Sequence, residues 1–222
     1  MTVETAATKE SGADRESRLA ALAVLAGQVR ELMDAVALTD VAEDELTRVT
    51  EELAVLTERL RAARRATPLQ PELAPDGSFR HLGNAVAGDC NPHALPLKAE
   101  VTPDGGVRAE LAFRPMHEGP PNSVHGGVTA MILDHLFGTA AAVAGRLGMT
   151  AQLTVRYRRP TPYGEPLVAD AAVTRTEGRK TWVDGRIATP DGTVLVEATG
   201  LFITPTAWLP ATAEGGEPAE AV

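Results

Sequence analysis

The segment Val124-His-Gly-Gly127 leads directly into the most apolar run of the chain, and that run contains one carboxylate, Asp134. Val128, Met131, Ile132, Leu133, Leu136, Phe137, Ala140, Ala141, Val143 and Ala144 fall on nearly every side of a helix extending to about Gly148. Such a pattern predicts a buried helix. A buried carboxylate costs several kcal/mol unless it is paired or hydrogen-bonded, so Asp134 is expected to have a partner or a chemical task. At the other end, Gly126 and Gly127 open the helix, where unused N–H groups and the positive end of the helix dipole favour an anion or a polarised carbonyl. Carbonyl polarisation next to a shielded carboxylate is a combination suited to acyl transfer.

Few other residues compete for a chemical role. His135 follows Asp134 but lies about 100° round the helix, which suits packing or an interface. Cys90 is the one cysteine, so no intrachain disulfide can form, and it is expected to be inert. No grouping of His, Cys, Asp or Glu has metal-ligand spacing, so no metal is expected.

The candidate helix sits inside a strand-rich second half. Leu95 to Val101 and Val107 to Phe113 alternate apolar and polar around Pro103-Asp-Gly-Gly106, which predicts a hairpin. After Gly148 come four strand-like runs, 151–157, 167–176, 181–189 and 193–204, separated by turn residues. Two strands, one long helix and four strands imply an α+β fold, an antiparallel sheet wrapped round a single helix. Such a unit is expected to need further burial by oligomerising.

Ahead of it, residues 14–66 read as a helical hairpin. Leu19, Leu22, Leu25 or Ala26, Val29, Leu32 and Val36 recur at helical spacing, and Thr39 or Asp40 is the expected cap of the next helix. Leu46, Val49, Leu53, Leu56 and Leu60 then form a heptad-like seam two heptads long. Arg59, Arg61, Arg64 and Arg65 at its end suit the helix dipole rather than a nucleic acid. Proline-rich 67–78 reads as a linker, 79–206 as the sheet-and-helix domain, and 1–13 and 207–222 as disordered ends.

Six short motifs carry a resemblance: Glu118-Gly-Pro-Pro121, Val124-His-Gly-Gly127, Asp134, Tyr157-Arg-Arg-Pro160, Glu177-Gly-Arg-Lys180 and Glu197-Ala-Thr-Gly-Leu-Phe202. In order and spacing they resemble hotdog-fold acyl-CoA thioesterases, in the phenylacetate-degradation (PaaI-like) branch and the related thioesterase-superfamily-member-4-like proteins. The likeness covers about residues 80–204. It implies a hotdog fold and hydrolysis of an acyl-CoA thioester without a cofactor. By resemblance Asp134, nine residues after the motif histidine, is the general base or nucleophile, and the N–H of Gly127, helped by Gly126, polarises the carbonyl. His125 orients the loop and the thioester end, and Thr150 helps hold the water. Arg158, Arg159, Arg179 and Lys180 occupy positions that meet the phosphates or pantetheine of coenzyme A. The chain departs from some relatives in lacking an asparagine six residues before the histidine. Gly119 stands there, with Asn122 only three ahead as a substitute polar contact.

The balance of the composition limits the alternatives. A net charge of -9 and a pI near 5.1 argue against nucleic acid or an anionic membrane as partner. No signal peptide or membrane span is expected, the expected compartment is the cytoplasm, and the expected assembly is a homodimer or homotetramer. A non-catalytic acyl-CoA sensor or scaffold using the same pocket is the main rival. Hotdog dehydratase chemistry would need a histidine after five intervening residues, where Ala140 stands.

Overall fold

The computed structural model describes residues 11–208. Of the ends expected to be disordered, 1–13 and 207–222, residues 1–10 and 209–222 lie outside the described residues, whereas Gly12 and Ala13 open a helix and Ala207 and Trp208 belong to a short 3-10 turn. Two compact units emerge, and neither is a continuous piece of chain.

Of the described residues, the first unit comprises 11–98 together with 110–128 and 161–166. Helix α1 (Gly12–Leu38) begins where Ser11 accepts the N–H of Asp14 at 3.2 Å, capping the first turn. Helix α2 (Glu43–Arg61) starts at Ala42 without a side-chain cap, so neither Thr39 nor Asp40 fills the expected position. Thr39 instead ends α1. The apolar repeat of α1 also divides differently from the sequence expectation. Leu19, Ala26 and Arg30 are buried, with Arg30 donating to the Asn91 carbonyl at 2.9 Å, whereas Val24 and Val36 are exposed. Helix α2 buries no residue at all. The proline-rich stretch carries a small ribbon, β1 (Glu72–Leu73) paired with β2 (Phe79–Arg80).

The second unit contains 99–109, 129–160 and the residues from Leu167 onward. It is dominated by a six-stranded sheet in the order β3-β4-β6-β7-β8-β5. The strands are β3 (Ala99–Val101), β4 (Val107–Leu111), β5 (Met149–Tyr157), β6 (Leu167–Glu177), β7 (Lys180–Ala188) and β8 (Val194–Ile203). The first hairpin is shorter than expected, because Leu95 and Leu97 are buried in irregular chain before β3. On one sheet face Leu167, Ala169, Ala171, Val183, Ile187, Val196, Ala198 and Phe202 are buried in the alternation that a one-sided sheet requires.

Helix α3 (Gly126–Val143) supplies the matching surface, with Thr129, Ile132, Leu133, Leu136, Phe137, Ala140 and Ala141 buried. Its Phe137 ring comes so close to β7 and β8 that a Cβ at Gly185 would lie 2.6 Å from it, and one at Gly200 2.7 Å. Glycine within these strands therefore makes room for the helix. Each fully buried Leu, Ile or Phe side chain of this face contributes about 1.5–3 kcal/mol. By length and composition α3 is apolar enough to cross a membrane, with mean hydropathy 1.3, but its apolar stripe is taken up by the sheet. It is not buried all round, as the sequence suggests. Met131, Asp134, His135 and Gly138 are half-exposed, and Gly127 and Val143 are exposed.

Candidate active site

The chain between His117 and Gly127 is a tightly knitted turn. The His125 N–H donates to the His117 carbonyl at 2.9 Å, the Gly119 N–H to Ser123 at 2.9 Å and the Val124 N–H to Thr161 at 2.8 Å. His117 is in turn fixed by accepting the Arg114 N–H on its Nδ1 at 3.0 Å and by an edge-on contact with Phe113. Burial holds the His117 imidazole below its ordinary pKa, which keeps it neutral and able to accept. Gly119 has no room for a side chain, since a Cβ there would lie 2.7 Å from the His125 Cα. Asn122 occupies the tip with φ 59°, a left-handed geometry that asparagine tolerates, and its N–H is held by Glu118 Oε1 at 2.9 Å.

This turn delivers His125 to the start of α3, where its Nδ1 accepts the Gly127 N–H at 3.0 Å. The imidazole thus caps the start of the helix by accepting on Nδ1. The expected carbonyl-polarising amide already has a partner. A side chain at position 127 would crowd that ring, since a Cβ would sit 3.1 Å from Nδ1.

Asp134 lies on α3 within the second unit. Its Oδ1 accepts the Thr150 hydroxyl at 2.8 Å, so the structure brings together two residues sixteen positions apart. Thr150 sits at a β-bulge, where the register against β8 shifts between Thr150 and Gln152. Bulges re-aim side chains, and this one turns the hydroxyl toward the helix. Asp134 is half-exposed in the single chain, which corrects the expectation of a carboxylate walled in by its own neighbours. The face of α3 turned away from the sheet is half-exposed.

The four basic residues do not form one cluster. Tyr157, just before Arg158, pairs with Val196, while Lys180 pairs with Ile203. Seven residues of β8 separate those positions, about 23 Å along an extended strand. Arg158 is ion-paired with Glu197, whose carboxyl it holds below the ordinary value through their hydrogen bond, and Arg159 donates to the Val194 carbonyl at 2.9 Å. At the other end Arg179 donates to the Thr204 carbonyl at 3.0 Å. Sequence reading missed Arg146 there. It follows α3 and ties the β6–β7 turn by donating to the Gly178 carbonyl. Thr150 and Thr181 both pair with Phe202, so Asp134's partner lies at this end of the sheet, with Arg146, Arg179 and Lys180. Among the described residues no group of three or more His, Cys, Asp or Glu is placed to hold a metal. Cys90 is buried, and burial raises its thiol pKa.

The thioesterase superfamily model matches residues 121–196, the stretch that contains His125, Asp134, Thr150 and Arg158. A solved thioesterase superfamily protein is 38% identical, with TM-score 0.73, over 82% of this chain and 94% of its own. The chain belongs to the thioesterase superfamily. Its six-stranded sheet and single central helix are the hotdog fold of that superfamily, preceded by two helices. Two curated relatives are named acyl-coenzyme A thioesterases. One from Xenopus laevis is 41% identical over 40% of each chain. One from Mus musculus is 40% identical over 39% of this chain and 37% of its own. The match thus spans about two fifths of the curated relatives' length.

Proposed function

We propose that this superfamily member hydrolyses an acyl-CoA thioester to the free acid and coenzyme A. The Thr150–Asp134 hydrogen bond carries this reading, because it fixes a carboxylate beside a hydroxyl on the unburied face of the central helix. Thr150 gives its hydrogen to Asp134, so its oxygen is left to accept one from water. The water's other hydrogen goes to the Asp134 carboxylate as its oxygen attacks the thioester carbon. The resulting oxyanion is held by the Gly127 N–H, after the His125 ring swings aside. When the tetrahedral intermediate collapses, the C–S bond breaks and the leaving thiolate recovers the proton from Asp134.

Gly127 and Asp134 are seven residues apart on α3, a rise of about 10.5 Å. We assign the base and the amide of one site to two copies of the helix, in a homodimer or a homotetramer built from it. Strand β5 offers the seam. It is a nine-residue edge strand, exposed along most of its length, of the kind that pairs with another chain. Coenzyme A phosphates are assigned to Arg179 and Lys180, with Arg146 fixing their turn. Arg158 and Arg159 reach the same ligand from the other copy.

Thiol release from acyl-CoA esters of graded chain length and from aromatic acyl-CoAs tests the proposal. Asp134→Asn should keep fold and mass but lose turnover by roughly 10²–10⁴. Undiminished turnover in that variant ends the assignment.

A further inference from the structure

Helix α2 carries the apolar repeat Leu46, Val49, Leu53, Leu56, Leu60 at alternating steps of three and four, yet none of its residues is buried. Leu46, Leu56 and Leu60 remain 44%, 47% and 58% exposed. Within the first unit, Leu53, Leu56 and Leu60 face Leu25, Val29 and Leu32 of α1 across an open apolar groove of about 510 Å³. Such a repeat is a seam for another helix of the same period. The segments outside the described residues do not match it. Residues 1–10 carry Met1 and Val3, and 209–222 carry Leu209 and Val222, as their only large apolar side chains.

The charge pattern of α2 specifies the occupant. Within α2, residues 43–52 hold five carboxylates and one arginine and 53–61 hold two arginines and one carboxylate, and Arg64 and Arg65 follow just beyond the helix end. A helix with an acidic first half and a basic second half complements itself when reversed. We infer that α2 docks antiparallel on α2 of a second copy of this chain, its seam lying in the α1–α2 groove. With Leu46, Leu53 and Leu60 as one core position of the heptad and Val49 and Leu56 as the other, one antiparallel register satisfies both requirements. It packs Leu53 against Leu56 and Val49 against Leu60 of the other copy. The same register sets Glu52 beside Arg59 of the other copy, twice by symmetry, with Thr50 facing Thr57 on the other flank. This contact is separate from the β5 edge, so it either ties two β5-joined pairs together or locks one pair twice.

Cross-linking of full-length chains tests it independently of any other interface, with the buried Cys90 left in place. Leu53→Cys chains mixed with Leu56→Cys chains should oxidise to a disulfide-linked pair at several times the yield of either variant alone. A mixture of Val24→Cys, an exposed position outside the groove lining, with Leu56→Cys is the control. Placed in both cysteine chains, Glu52→Arg or Arg59→Glu should each cut the yield several-fold, and the two together should restore it. A mixture no better than the Val24 control overturns the contact. A double reversal no better than the single ones overturns the antiparallel register.

Discussion

Helices α2 and α3 are both rich in apolar residues at helical spacing, and the chain treats them in opposite ways. Helix α3 buries seven residues on its own sheet, whereas α2 buries none. The difference lies in what the rest of the chain supplies. Gly185 and Gly200 leave a seat for Phe137, but α1 offers α2 only an open groove. A helix whose apolar face is filled from within can hold Asp134 at a defined depth. One whose face is unfilled gains order from another molecule. The sharpest way to break this contrast is to truncate each helix at its apolar face. Phe137→Ala should cost about 3–5 kcal/mol in denaturant unfolding, the scale of a large core ring removed. Leu60→Ala at high dilution should change stability by no more than about 0.5 kcal/mol. Equal costs would show that α2 is packed like α3.

The next test concerns the open face of α3. Asp134→Asn and Gly127→Pro chains should each be nearly inactive, the proline because it removes the amide hydrogen while remaining tolerable in a first helical turn. If base and amide come from different copies, mixed pairs contain one intact site, and an equal mixture should regain about a quarter of wild-type activity. A mixture as dead as its components would place both groups in one chain and overturn the two-copy site. A smaller effect is expected from Thr150→Val. Losing a hydrogen bond to a charged group, about 1.5–3 kcal/mol, should lower kcat about 10- to 100-fold with the pair-forming strand intact. A change in KM alone would mean that Thr150 positions substrate rather than Asp134.

The contrast also explains what was readable beforehand. The order of helices and strands was legible because alternation and periodicity encode local structure. Thr150, in contrast, was named only through the family resemblance, as a holder of water, and its hydrogen bond to Asp134 was not foreseen. The half-exposure of Asp134 was not legible, since an apolar composition does not say whether a helix face is met by its own sheet or by another chain. The His125 cap on Gly127 was hidden too, because which ring nitrogen points back to the helix depends on the turn through His117 and Gly119. The separation of Arg158 and Arg159 from Arg179 and Lys180 follows from strand register, which a linear reading does not supply. Arg146 gave no signal beyond being a basic residue after a helix. Gly185 and Gly200 lie inside strands, where glycine usually marks close approach, a signal the sequence reading did not take up.

The smallest effect separates the two units by pH. In the first unit Glu16 and Glu72 share Arg80, and Arg15 bonds Glu72, tying the start of α1 to the ribbon β1–β2. Hydrogen bonding to Arg80 holds the Glu16 carboxyl below its ordinary value of 4.5, and hydrogen bonding to Arg15 does the same for Glu72. Carboxyls depressed by folding stabilise the native state above the ordinary value, and that contribution is lost as pH falls through the lowered one. The groups are partly exposed, so solvent screening keeps the effect small. Hydrogen exchange followed from neutral pH to below 4.5 should therefore show the first turns of α1 losing protection while α3 keeps its own. The Arg80→Gln variant should show that loss at neutral pH already. Protection of α1 that is unchanged by acid, or by that substitution, would mean the ion pairs are not what fastens it.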